Sequence, residues 1–304
     1  MTEYVTVSGC PTDQSTSMAI SVPKRRWNLS TAWLAFPVLL FLGAFFLYPI
    51  LMMALKSATD VPAGEHAWSN FAWFLSDETN MRIYWQTLFT GFRVTVFCIL
   101  VAYPMAYAML ITRGKWKLAI LGVVLLPFWT SAVVRNFAWV VILQDRGVLN
   151  YLLSLVGVEP LSLLGTSTAV TIGMAQVLLP FAVLPIYTSM LKIDENLMRA
   201  ALMLGARPSV AFATVFLPLS LSGVFAGGVL VFVLTLGFYV TPAILGSPQE
   251  AILPQIIFRQ VSDLLAWGRA SAMSVVLLLT TVVILAVGSL LTRQVRKRIG
   301  TTTE

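Results

Sequence analysis

Few residues in this chain of 304 are of types that do chemistry, and their spacing excludes most of what they could do. The one histidine, His66, stands in a polar stretch without a Cys or His neighbour. Neither a His-based metal cluster nor a Ser-His-Asp triad can be built around it. Cys10 lies in a polar tail and Cys98 in an apolar run, so no disulfide framework or paired thiolate site is available. Gly114-Lys115 lacks both the earlier glycine and the following hydroxyl of a phosphate-binding loop, so the chain carries no nucleotide loop of that kind. No Asp or Glu falls inside a long apolar segment, which argues against a proton relay built on buried carboxylates. What remains is the stretch over 192–218, between two long apolar segments, whose pattern is that of short capped helices.

That stretch predicts a helix with its own caps. Asp194 can accept from the free amides of the first turn, and Glu195 precedes Arg199 by four residues, the favourable order for an ion pair on one face. Small Ala200 and Ala201 permit close approach, and Gly205 is a good left-handed terminator. Pro208 suits the first position of a second short helix over 208–216, so two helices meet at a bend. Leu217-Pro218 closes the second helix and feeds the next apolar segment.

The elements that must hold this stretch are membrane spans. Hydrophobic residues make up 58% of the chain and charged ones 11%, with a mean hydropathy of +0.85, far above a soluble globular domain. A helical span needs about 20 apolar residues. Six charge-free intervals qualify: 27–55, 94–112, 118–134, 160–191, 208–249 and 270–292. The second and third are slightly short, but each continues past one arginine, Arg93 or Arg135. The fold expected is all-α and polytopic, with six transmembrane helices.

Orientation follows from basic residues, which are retained on the cytoplasmic side. With the amino terminus inside, thirteen of the 20 Lys and Arg fall in cytoplasmic segments: Lys24, Arg25, Arg26, Arg113, Lys115, Lys117, Lys192, Arg199, Arg207, Arg293, Arg296, Lys297 and Arg298. Five fall outside. Both termini are therefore expected in the cytoplasm, and the net charge of +7 records orientation, with no nucleic acid as partner. The expected layout is a disordered tail with a basic anchor over 1–26 and no secretory signal, a transmembrane domain over 27–292, and a basic tail over 293–304. Between the first two spans, Trp68, Phe71 and Trp73 among acidic residues predict an outer segment lying along the interface, with a short amphipathic helix. Arg93 and Arg135 lie roughly 27 to 30 Å from the inner boundary on straight-helix geometry, so each either snorkels to the outer interface as an anchor or lines an outer vestibule.

The stretch over 194–218 resembles the cytoplasmic motif of binding-protein-dependent ABC importer permeases: Glu-Ala-Ala, three residues, Gly, nine residues, Ile-x-Leu-Pro. Here it reads Arg199-Ala200-Ala201, three residues, Gly205, nine residues, Val215-Phe216-Leu217-Pro218. The departure is Arg199, which reverses the charge of the family's Glu. Further matches are similar to the spermidine/putrescine permeases: Tyr103-Pro104-Met105-Ala106-Tyr107, Leu126-Pro127-Phe128-Trp129-Thr130-Ser131, and Gly237 through Gly246. The subfamily also contains permeases for opines, aminophosphonates and other small solutes.

The resemblance implies the type I ABC importer permease architecture in a bacterial inner membrane. It also implies two cytoplasmic ATPase subunits that carry ATP and Mg, a second and related permease chain, and an extracytoplasmic solute-binding protein. The coupling residues it implies are Asp194, Glu195, Arg199, Ala200, Ala201, Gly205, Leu217 and Pro218. A polyamine can be held loosely by aromatic faces and carbonyls. Phe128, Trp129, Phe238 and Tyr239 beside Pro127 and Pro242, with Asn136 and Gln176, either line such a pathway or pack between helices. Arg135 repels a polycation unless it points away, so it either weakens the polyamine assignment or meets the binding protein. A stand-alone secondary transporter would need an ion-coupling site, and a membrane enzyme convergent catalytic groups. The chain is expected to be non-catalytic and to bind no cofactor itself.

Overall fold

The computed structural model describes the backbone of residues 29–61, 64 and 66–299 and, within these, the side chains of residues 36–290. The tail expected over 1–26 lies outside the described residues. The chain divides between Pro49 and Ile50 into two units. The first contains α1 (Leu29–Leu42), a π turn (Gly43–Leu47) and the start of α2 (Tyr48–Thr59). Its residues are apolar around the whole helix, and none of its described side chains is buried, the pattern of a span surrounded by lipid or partners.

The second unit begins within α2. A short helix α3 (Ser69–Ser76) follows in the segment predicted to carry one, and then α4 (Glu78–Ile111), whose cap Asp77 accepts from Thr79 N at 3.3 Å. Next come α5 (Lys115–Leu125), a tight 3-10 turn (Leu126–Trp129), α6 (Ala132–Leu143), α7 (Val148–Leu155) and α8 (Ser167–Met190). After α8 stand α9 (Glu195–Met203), α10 (Pro208–Ala211), a π turn (Phe212–Phe216) and α11 (Leu217–Leu236). The last described elements are α12 (Val240–Leu245), a 3-10 turn (Pro248–Glu250), α13 (Leu253–Ser262) and α14 (Trp267–Ile299).

Three spans make the centre: α8 packs on both α4 and α11. Val94, Cys98, Ala102 and Ala106 of α4 meet Met174, Leu178, Ala182 and Ile186 of α8 and Val231 of α11 in one buried cluster. Glycines let the backbones approach closely, as small residues do between membrane helices. A Cβ at Gly227 would stand 3.0 Å from Ala182 O, and one at Gly223 would stand 2.8 Å from Pro185 O. Hydroxyl pairs cross the same interfaces, Tyr103 with Ser220 and Ser189 with Ser222, each at 2.9 Å.

Among the described residues, five helices are long and apolar enough to cross a membrane without interruption, and one further predicted span is broken. The expected continuous third helix over 118–134 and beyond is instead a pair, Lys115–Trp129 and Ala132–Leu155, bent by 105°. Pro127 tightens the chain into the 3-10 turn, and Thr130 and Ser131 then leave helical geometry with ψ of 140° and 132°. Straight-helix depth therefore does not apply to Arg135, whereas α4 runs unbroken through Arg93. At the carboxyl end, α14 continues past residue 292 to Ile299, so the expected basic tail begins as helix.

The two π turns share a cause. Each ends two residues before a proline, Leu47 before Pro49 and Phe216 before Pro218. A proline inside a helix lacks the N–H and presses its ring on the carbonyl four residues back, and a widened turn makes room for that ring.

Candidate functional site

The stretch linking α8 to α11 is built as its capping pattern predicts. Asp194 Oδ1 accepts from Asn196 N at 2.9 Å, and Arg199 Nη2 reaches Glu195 Oε2 at 3.3 Å. Both partners of this ion pair are exposed, 69% and 84%, so it contributes only about 0.3–0.5 kcal/mol. The helix end is more exacting. Gly205 takes φ of +88° and its N–H donates to Leu202 O at 3.0 Å, while Ala206 N donates to Ala201 O at 3.1 Å. These are the two crossed bonds of a Schellman cap, which needs a left-handed residue at Gly205. Ala201 thus supplies the carbonyl that fixes the turn.

Past the turn, Pro208 occupies the first helical position. Leu217-Pro218 does not close the second helix as expected. Residues Pro208–Leu236 form one continuous span, because Leu217 N donates back to Phe212 O across the π turn and Pro218 rides on that widening. The second short helix is therefore the end of the fifth span itself, tied by one glycine turn to α9.

Three ring contacts not foreseen from the sequence hold this end in place. Phe212 and Phe216 stack at 5.3 Å, and Tyr107 of α4 meets both edge-on at 5.4 and 5.6 Å. Such pairs contribute about 0.5–1.5 kcal/mol each beyond area burial. The four-residue spacing of the phenylalanines was visible, but their partner on a distant helix was not. Ile193 and Met198 turn inward against the same core. Outward, Met203 and Leu204 are each 88% exposed at the tip, beside exposed Ala200.

Of the expected pathway residues, several converge on the bend between α5 and α6. Arg135 Nη1 donates to Pro127 O at 2.7 Å and to Thr130 Oγ1 at 3.1 Å, so its guanidinium turns back and caps the carbonyl that the bend sets free. Phe128 meets Phe181 of α8 edge-on at 5.4 Å, and Trp129 is 85% exposed. Asn136 is buried and donates from Nδ2 to Ala132 O at 2.9 Å, leaving its Oδ1 without a partner. Gln176 Oε1 accepts from Trp139 Nε1 at 2.5 Å, joining α6 to α8. Phe238 and Tyr239 belong to a second break, between α11 and α12. Phe238 packs on the central cluster, and Tyr239 lies 4.9 Å from Phe258 of α13.

Comparison with known proteins places this geometry. The spermidine/putrescine transport system permease protein of Haemophilus influenzae is 33% identical over 196 residues, covering 64% of this chain and 68% of that one. An inner membrane ABC transporter permease protein of Escherichia coli is 35% identical over 188 residues, covering 57% and 60%. Among solved structures, a chain from a bacterial ABC transporter involved in the import of alginate superposes with a TM-score of 0.66 at 18% identity, over 88% of this chain and 97% of that one. Residues 99–301, which include the capped stretch and both breaks, match the model of the family described as the binding-protein-dependent transport system inner membrane component. With two thirds of its length inside that match, the chain belongs to this family and is the permease component of an ABC importer.

Proposed function

We propose that this permease imports a polyamine, putrescine or spermidine, delivered by an extracytoplasmic binding protein and driven by two cytoplasmic ATPase subunits that carry ATP and Mg. A second, related permease chain completes the membrane pathway, and both termini lie in the cytoplasm of a bacterium with this chain in its inner membrane. The polyamine reading is supported by the identity to spermidine/putrescine permeases. Opines, aminophosphonates and other small solutes are the alternatives within the same class.

One observation carries the mechanism. The helix that ends at the Gly205 turn presents Met203 and Leu204 outward, and the chain beyond the turn enters α11 without interruption. Asp194, Glu195, Arg199, Ala200, Ala201, Gly205, Leu217 and Pro218 are assigned to coupling. α9 sits in a cleft of the ATPase, and the Schellman turn fixes its angle to the span. Closure of the ATPase then moves α11, and through the glycine contacts at Gly223 and Gly227, α8 moves with it. The span carries no ionisable carboxylate for the displacement to expose. Arg199 replaces the family's Glu at an exposed position, so the docking surface is read as apolar, set by Met203 and Leu204.

At the bend, Phe128, Trp129, Arg135, Asn136 and Gln176, with Phe238 and Tyr239 at the second break, are assigned to the pathway. Arg135 is already bound to Pro127 O and Thr130 Oγ1, which turns its charge toward its own bend. The exposed aromatic faces of Phe128 and Trp129 are then the groups offered to ammonium centres, with the buried Asn136 behind them. The test is uptake by the reconstituted importer together with binding titrations of its solute-binding protein. Putrescine and spermidine are expected to bind and be transported. Binding of an opine or aminophosphonate in their place would refute the polyamine reading and leave the importer intact.

A further inference from the structure

The bend between α5 and α6 holds a cation of the chain's own, and the way it is held defines a site. Past the 3-10 turn, Thr130 and Ser131 are extended, and Pro127 O accepts from two side chains: Thr130 Oγ1 at 3.2 Å and Arg135 Nη1 at 2.7 Å. Arg135 Nη1 also donates to Thr130 Oγ1 at 3.1 Å. Thr130 gives its proton to Pro127 O, so the lone pairs of its hydroxyl face the guanidinium. The three groups close a triangle in which both acceptors serve one cation.

That cation is held without a carboxylate. Arg135 makes no ion pair among the described residues, and its Nε is buried without a partner. Its charge is met by one carbonyl and one hydroxyl, a weaker hold than the fork of an acidic side chain. A primary ammonium has the same needs. Two of its three N–H groups can take Pro127 O and Thr130 Oγ1, and the third can face an aromatic ring. Phe128, 50% exposed, and Trp129, 85% exposed, stand between the two acceptors in the chain. Thr130 is exposed and Arg135 half-buried, so the acceptors are reached from outside once the guanidinium leaves. An anion is refused, because both groups present lone pairs. Two cations on the same acceptors repel, so arginine and an incoming ammonium exclude each other.

We propose that Arg135 is a tethered stand-in for the substrate's ammonium. At rest its guanidinium fills a cation site made by Pro127 O and Thr130 Oγ1 and closes the pathway to free polyamine, and transport requires its displacement. The proposal rests on the polyamine reading and on the assignment of the bend to the pathway.

The test is movement of radiolabelled putrescine down its gradient in proteoliposomes of the complete importer, without ATP or binding protein. Wild type is expected to be tight. R135Q keeps an N–H for Pro127 O and removes the charge. It is expected to leak at least about tenfold faster, since a site about nine-tenths filled by its own arginine is open about a tenth of the time. R135K, which keeps a tethered cation, is expected to leak less than R135Q. In R135A, millimolar guanidinium is expected to close the leak by refilling the site, whereas urea, its neutral isostere, is not. A tight R135Q overturns the proposal, and so does a leak that passes mannitol as readily as putrescine. Guanidinium that restores ATP-driven uptake in R135A while leaving the leak open also overturns it, since Arg135 would then be a structural cap of the bend. ATP-driven putrescine uptake beside a tight R135Q removes this proposal and leaves the polyamine reading standing. A guanidinium-sensitive leak of butylammonium, in an importer whose binding protein takes no polyamine, removes that reading and leaves the cation site standing.

Discussion

Replacing Gly205 with alanine adds a methyl group that meets nothing, since no atom lies within 4 Å of where its Cβ would stand. Any effect must therefore come from the backbone, held at φ of +88°. A left-handed conformation costs an ordinary L-residue about 1–2 kcal/mol, which is about a 5- to 30-fold loss in the population of the capped turn. Asparagine visits this region at lower cost, and a β-branched residue at much higher cost. The order expected for solute-stimulated ATP hydrolysis and uptake is Gly, then Asn, then Ala, then Val. In Gly205→Val, association with the ATPase and uptake should both be lost. Each variant should still insert and elute as a single species from size-exclusion chromatography, because the turn lies outside the packed core. Valine behaving like glycine would refute the reasoning. So would a loss that follows side-chain volume with Asn worse than Ala, since that would mean the partner contacts the Cβ position and the turn conformation is irrelevant.

Other consequences follow from close backbone contacts and shared polar groups. Gly268→Ala would place a Cβ 1.9 Å from Asp60 O, so the link between α2 and α14 must shift, with an expected loss of about 1–3 kcal/mol read as a lower unfolding temperature in detergent. Gly223→Val, whose Cβ would stand 2.5 Å from Ser189 Cβ, should force α8 and α11 apart with a similar loss, whereas Gly122→Ala on α5 meets nothing and should stabilise by about 0.5–1 kcal/mol. Gln176→Leu leaves the Trp139 indole N–H unpaired and should cost about 1–3 kcal/mol. Adding Trp139→Phe should recover part of that loss in a double-mutant cycle.

Local chemistry was legible in the sequence wherever a residue answers to neighbours three to five positions away. The Asp194 cap, the Glu195–Arg199 pair, the Gly205 terminator and the Pro208 start all appear as read. Features decided by competition between local preferences were not legible. Pro127 reads equally as a mild kink or as a sharp break, and only the extended Thr130 and Ser131 beyond it turn the third span through 105°. Pro218 reads as a helix stop, yet the π turn before it lets the helix continue. Features that need a partner far along the chain were invisible, such as Tyr107 on the two phenylalanines. The depth of Arg135, whether as an interface anchor or a vestibule residue, rests on straight-helix geometry, and the bend instead brings its guanidinium back onto Pro127 O.

The central claim is that the exposed tip of α9 is the surface on which the ATPase acts. Site-specific disulfide cross-linking from Met203→Cys, 88% exposed, in a background of Cys10→Ser and Cys98→Ala tests it in native membranes. A cross-link to a cysteine in the ATPase cleft, formed readily and altered in rate when nucleotide is bound, is the predicted result. Absence of any ATPase cross-link from Met203→Cys and Leu204→Cys, while a cysteine elsewhere on the same side of the membrane does form one, would contradict the account.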